Sequence, residues 1–236
     1  MAVSHKSATE SHTGTTGSAS EASFDISVPD PSPDTILGLL VFTYVNANAA
    51  DALSVKINPA GANIDVPAVS GGEAIDTATE PGRCKAWFLG SGIPAGALTV
   101  RVNRNNNANI MYAVVNTQLA AVGMDTAVHT AGIVLLQNDG TLAEQSVDDG
   151  SPGVNSLRYA GVNSGLGTPP AQGASSTQLH TIDFSARGIS TCRETTAGQG
   201  ARNVGFSSGT SDDRAAVHLA VKEVAVSDTL FAQSAL

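Results

Sequence analysis

Residues 83–116, RCKAWFLGSGIPAGALTVRVNRNNNANIMYAVVN, decide the fold. They read as three antiparallel strands joined by two compact turns. In Gly90-Ser91-Gly92-Ile93-Pro94-Ala95-Gly96 the glycines accept positive φ and the proline presets φ near −65°, so the chain bends there. Leu98, Val100 and Val102 alternate with Thr99, Arg101 and Asn103, which places the three apolar residues on one strand face. Asn105-Asn106-Asn107 suits a second turn, because asparagine tolerates left-handed backbone angles. Ile110 to Val115 is apolar almost throughout, as in a strand covered on both faces.

The same reading extends outward. Phe24, Ile26 and Val28 alternate with Ser23, Asp25 and Ser27 and face inward; Pro29, Pro31 and Pro33 end that strand, since proline lacks the ladder donor. Ile36-Leu37-Gly38-Leu39-Leu40-Val41-Phe42 is the strongest central strand of the chain. Leu53 to Ile57 is half-buried, and Asn63 to Ser70 is a short edge strand closed by Gly71-Gly72. Gly132 to Leu136 is a further apolar run before the turn Asn138-Asp139-Gly140. Gln178 to Phe184, a weaker Ile189 to Thr195, and a long closing strand, Ala215 to Val226, complete the set. No window carries sustained helical periodicity; one short helical turn near Met124 is the limit.

These elements predict an all-β antiparallel β-sandwich, Ig-like or jelly-roll-like. Residues 1–20, rich in Ser, Thr and Gly, form an N-terminal arm or an edge strand. Residues 21–226 form the sandwich, with a possible subdivision near 120–130, and 227–236 form a C-terminal tail ending in a small apolar patch. Gly150 to Ser176 reads as a long loop, with Pro152, Pro169 and Pro170 and few apolar residues. There is a faint two-part rhythm but no tandem repeat of near-identical residues, and no polar linker divides the halves, so a single domain is preferred over two stacked sandwiches.

Composition narrows the function. Of 236 residues 42% are apolar, enough for a core, while only 14% are charged and 4% aromatic. The net charge of −9 and twelve scattered Lys and Arg disfavour nucleic acid, whose phosphates draw affinity from clustered cations. No stretch approaches the ~18–20 apolar residues of a bilayer span, and MAVSHKSATESHTG has no apolar signal-peptide core, so synthesis in the cytoplasm is expected. In that compartment Cys84 and Cys192 are expected as free thiols rather than a disulfide.

The candidates for chemistry read more simply as structure. His5, His12, His129, His180 and His218 show none of the short spacings of a zinc site. Asp148-Asp149 and Asp212-Asp213 sit beside Gly or Ser, and with Asp139 they match no calcium loop; turn formation accounts for them. Gly205-Phe206-Ser207-Ser208-Gly209 is no G-x-S-x-G nucleophile elbow and reads as a turn. Trp87 shares its strand face with Leu89, which places it in the core rather than on a sugar-stacking surface. The expected catalytic, cofactor-binding and metal-binding residues are therefore none, and the chain reads as a non-enzyme without cofactors.

One resemblance adds to this. An apolar central strand, then Ala86 to Leu89, the Pro94 to Gly96 turn, Thr99 to Val102, Ile110 to Val115 and a closing Ala215 to Val221 resemble a β-sandwich family of tailed-bacteriophage virion proteins. That resemblance implies a structural role on the particle, first as a capsid decoration protein stabilising the head surface, second as a minor tail protein. It implies the major capsid protein first and tail proteins second as partners, with homo-oligomers and a virion location. A different class of function, a carbohydrate-binding module for host attachment, would use Trp87, Tyr112, Tyr159 and the Asn103–Asn109 loop.

Overall fold

The computed structural model describes residues 3–5, 11–15, 21–28, 35–45, 53–58, 61–76, 82–90, 92–94, 96–104, 111–121, 128–137, 140–150, 155–165, 167–184 and 187–223. Every regular element among them is a strand. In the first half these are β1 (Val3–His5), β2 (Ser11–Thr15), β3 (Glu21–Val28), β4 (Thr35–Val45), β5 (Leu53–Ile57), β6 (Ile64–Val66), β7 (Ala68–Asp76), β8 (Gly82–Leu89), β9 (Gly96–Arg104) and β10 (Met111–Ala121). The second half adds β11 (Val128–Gln137), β12 (Gly140–Leu142), β13 (Gln145–Val147), β14 (Ser156–Ser164), β15 (Ala171–Gln172), β16 (Ser176–Phe184), β17 (Arg187–Glu194), β18 (Arg202–Val204), β19 (Phe206–Asp212) and β20 (Arg214–Glu223). The all-β sandwich reading holds.

The strands form four layers. An outer sheet, β3-β9-β5-β6, covers an inner sheet in which β1 and β2 both flank β10, followed by β4, β8 and β7. A second inner sheet runs β11-β20-β14-β17-β16, and a second outer layer pairs β12 with β19, β19 with β15, and β13 with β18. All pairings are antiparallel.

Period-2 alternation fills the three seams between these layers. On β4, Leu39, Val41 and Val45 face the first outer sheet with Val55, Ile57, Trp87, Val100 and Val102. Its other face sends Leu40, Phe42 and Tyr44 against Leu157, Tyr159, Val217 and Leu219 of the second inner sheet. That sheet in turn packs Ala160, Val162, Cys192 and Ala216 against Leu142, Val204 and Phe206 of the second outer layer. A strand buried on both faces favours an unbroken apolar run, and Leu39 to Phe42, all buried, sit in the run Ile36 to Phe42 that stood out in the sequence.

The second half repeats the winding of the first. Its edge strand β11 lies beside β20, as β1 and β2 lie beside β10; β20-β14-β17-β16 then matches β10-β4-β8-β7. In the outer layers β18/β19 lies between β12/β13 and β15, as β9 lies between β3 and β5. Two of the matching pairs agree in length, β7 and β16 with nine residues each and β8 and β17 with eight each. In the first half, β6 pairs with β5 in the outer sheet and β7, just past Pro67, pairs with β8 in the inner one. This order is that of a jelly roll, wound twice.

The two units meet through equivalent faces. Val45 closes β4 and Ser164 closes β14; three positions back lie Phe42 and Gly161. A Cβ on Gly161 would stand 2.8 Å from Phe42 Cδ1, so these equivalent positions touch. The penultimate residues reach across reciprocally: Tyr44 Oη donates to Ser190 O on β17 at 3.3 Å, and Asn163 Nδ2 donates to Arg83 O on β8 at 3.3 Å. Such reciprocity marks an isologous interface, here within one chain.

Several expectations change. The three strands of residues 83–116 exist, but β8 and β10 lie in the inner sheet and β9 in the outer. They are therefore not a meander; each connection crosses between layers. Positive φ at Gly92 (74°) and Gly96 (100°) makes the first crossing. The Gly150–Ser176 segment is no continuous loop: it supplies β14, buried at all nine positions and central in its sheet, and β15. Gly205-Phe206-Ser207-Ser208-Gly209 is not a turn but a kinked strand, β19 following Gly205 at φ 135°. The arm at 1–20 supplies edge strands β1 and β2. Residues 105–110, 122–127, 138–139 and the tail 227–236 lie outside the described residues.

Candidate functional site

The densest polar constellation is built around Arg158, whose side chain is wholly buried on β14. Its Nε donates to Val147 O at 3.0 Å. Its Nη1 donates to Glu194 Oε1 at 2.9 Å, Gly198 O at 3.0 Å and Ser156 O at 3.2 Å. Its Nη2 donates to Asp149 Oδ2 at 3.3 Å and to Gly200 O. Ser156 Oγ donates to Asp149, Lys222 Nζ donates to Asp149 O at 2.8 Å, and Arg202 Nε donates to Glu194 Oε2 at 2.9 Å. Each buried ion thus meets opposite charge or a carbonyl, as burial of charge requires.

Beside this hub lies a hollow of about 290 Å³ lined by Ser175, Glu194, Ala201, Arg202 and Asn203. Glu194 accepts from Arg158 through Oε1 and from Arg202 through Oε2, so a cation engages each of its oxygens. What the arrangement does is mechanical: it ties residues 147–149 and 194–202 to β14. A second hub does the same for β19. Arg214 donates to Ser208 Oγ at 3.0 Å, Thr210 O at 2.8 Å and Gly140 O, while Ser164 Oγ meets Asp212 Oδ2 at 2.5 Å.

The residues singled out in the sequence fall as follows. Asp148 makes the expected turn, accepting from Gly150 N at 3.0 Å, whereas Asp149 points inward to Arg158. Asp139 lies outside the described residues. Trp87 is 5% exposed, donates Nε1–H to Thr43 Oγ1 at 2.9 Å, and is capped by Lys85 Nζ 5.0 Å from its ring centre. Tyr159 is fully buried and meets His5 Nδ1 at 3.2 Å. Neither ring offers a face to a sugar. Tyr112 lies on β10 and Asn103 on β9, in different sheets.

His12 lies on β2, His129 on β11 and His180 on β16. Among the described residues no three His, Cys, Asp or Glu side chains are placed to share a metal ion. The cysteines are free thiols in different seams, Cys84 donating to Gly161 O and Cys192 to Gly205 O. Burial pushes both up, Cys192 to about 12 and Cys84 further.

His218 is fully buried under the second outer layer. Its Nδ1 lies 3.3 Å from Val134 O, and Nε2, which has no hydrogen-bond partner, would sit 2.8 Å from a Cβ on Gly205. Burial lowers its pKa from 6.5 to about 4, against the opposing pull of the Val134 carbonyl. The folded value lies below the unfolded one, so this contribution is complete above pH ~6.5 and is lost as pH falls toward 4. From pH 7 to 5 the cost is about 2 kcal/mol. Urea unfolding at the two pH values is expected to show that loss in the native chain and to lack it in His218→Leu; an unchanged pH slope in the variant would refute the assignment.

Sequence reasoning missed the Arg158 hub and the Arg214 hub. The signal available was a pair of arginines inside otherwise small or apolar runs, SLRYAGV and DDRAAVHLAV, where burial forces a search for partners. Comparison of the chain with protein-family models and with curated proteins finds no match to either.

Proposed function

We propose that this chain is a non-enzymatic structural protein of a bacteriophage virion, acting as a capsid decoration protein that stabilises the head surface. The observation that supports the reading most is the jelly-roll winding, present twice and stacked through equivalent faces. That winding recurs in viral capsid and lectin domains, an analogy at the level of fold. The buried charge supports it too, since the Arg158 and Arg214 hubs spend their donors on backbone carbonyls and neighbouring side chains. Of the two uses of the winding, sugar binding loses Trp87 and Tyr159, the rings best suited to stacking.

The outward faces suit repeated contact with a protein lattice. On the first outer sheet the exposed or half-buried positions include Ser23, Asp25, Ser54, Lys56, Thr99 and Arg101. These are polar and of mixed sign, the composition of an interface rim rather than of an apolar obligate core. The test is imaging of intact particles assembled in cells that make the chain. Density repeating at capsid three-fold or quasi-three-fold positions is the expected result. Density confined to the tail would replace the decoration role by a minor tail role, and particles lacking the chain would overturn the virion reading.

A further inference from the structure

The outer edge of β10 carries an unusual cover. β4 pairs with β10 along its whole length, Met111–Ala121. On the other side, β2 pairs with Met111–Val115 and β1 with Gln118–Ala120, flanking Asn116 and Thr117. The second unit shows what this position normally holds: β11, a single ten-residue strand on β20, set in the chain between β10 and β12. The unit therefore needs a strand at this edge, because an uncovered edge leaves a row of backbone donors and acceptors open to pairing.

In the first unit β1 and β2 lead into the β3–β20 body through residues 16–20, Thr-Gly-Ser-Ala-Ser. β2 lies in the inner sheet and β3 in the outer one. The strands it links are held by backbone ladders and by the contact of His5 Nδ1 with Tyr159 Oη at 3.2 Å. All of these are reproduced if the strands pair with β10 of another copy, so exchange costs no bonds and is decided by concentration.

We propose that β1 and β2 of one chain pair with β10 of a second copy, His5 meeting Tyr159 of that copy, and that this exchange links chains into oligomers. The occupant is a second copy because the register is written in this sequence: Thr13 opposite Ala113, Ser11 opposite Val115, Val3 opposite Ala120. Five linker residues extend to about 17 Å, so donor and acceptor must lie side by side along their inner-sheet edges. The inference stands on strand pairing and does not rest on the virion reading.

The experiment mixes two full-length variants, Thr13→Cys and Ala113→Cys, at high concentration under mild oxidation. Cys84 and Cys192 are buried in both and stay out of the reaction. In a chain whose strands remain at home, Thr13→Cys faces its own alanine. A disulfide between the two unlike chains forms only on exchange. A two-chain band on a non-reducing gel is expected, dependent on both cysteines. Its yield should rise several-fold when the Ala113→Cys partner lacks residues 1–15, which opens its acceptor edge. The proposal is overturned if the mixture gives no two-chain band while the Thr13→Cys/Ala113→Cys double variant closes a disulfide within one chain. It is equally overturned if the double variant closes none, since β2 would then not lie on β10.

Discussion

Replacing Arg158 with methionine is expected to lower the unfolding free energy by about 3–5 kcal/mol, because it takes the cation from the buried Asp149 carboxylate and leaves Glu194 with Arg202 alone. The side chains of Arg158 and Asp149 are 0% exposed and that of Glu194 only 2%. With the guanidinium gone, Asp149 keeps Ser156 Oγ and Glu194 keeps Arg202, but the carbonyls of Val147, Gly198 and Gly200 lose their common donor. Arg158→Lys keeps the charge and should still destabilise strongly, since an ammonium has three donors and cannot span the six residues that the guanidinium reaches. Trp87, the sole tryptophan, reports the transition in a urea titration. A loss below about 1 kcal/mol for Arg158→Met would mean that the hub contributes little beyond what packing supplies.

The second large effect is expected at Gly161. Its missing side chain lets the two inner sheets close: a Cβ there would lie 2.6 Å from Tyr44 Oη and 2.8 Å from the Phe42 ring. Tyr44 Oη is itself engaged with Thr191 Oγ1 at 2.8 Å, and burial raises its pKa well above the ordinary tyrosine value, so it acts as a neutral hydroxyl. Valine at position 161 must displace this hydroxyl or part the seam. Overpacking and the lost hydrogen bond together should cost about 3 kcal/mol. Phe42→Leu paired with Gly161→Ala is the control. If crowding is the cause, the double variant recovers stability relative to the sum of the single changes. Strict additivity would place the cost elsewhere.

Much of the architecture was legible because burial on two faces leaves a mark. Residues 36–42 had to be central, and Trp87 and Leu89 had to share a face with the core. β14 left no such mark. SLRYAGVNS carries an arginine, an asparagine and a glycine, each spent on a tertiary partner: Asp149 and Glu194, the carbonyls of Val45 and Arg83, and the Phe42 ring. Those partners are set by tertiary contact, so local pattern read the segment as a loop. The winding of residues 83–116 was hidden for a related reason, because a Gly/Pro turn bends the chain whether it returns to the same sheet or crosses to the next. The repeat left only a faint two-part rhythm in the sequence because strand order survives where side chains do not: Phe42 and Gly161 are equivalent positions with opposite volumes.

The reciprocal seam between the inner sheets has a consequence for how the molecule withstands dilution. Two separate jelly rolls meeting through such faces would come apart as their concentration fell. Carried on one polypeptide, each half sees the other at the high effective concentration of a short tether. The dimer-like contact therefore persists in a solitary molecule, which can arrive at its destination already paired with itself.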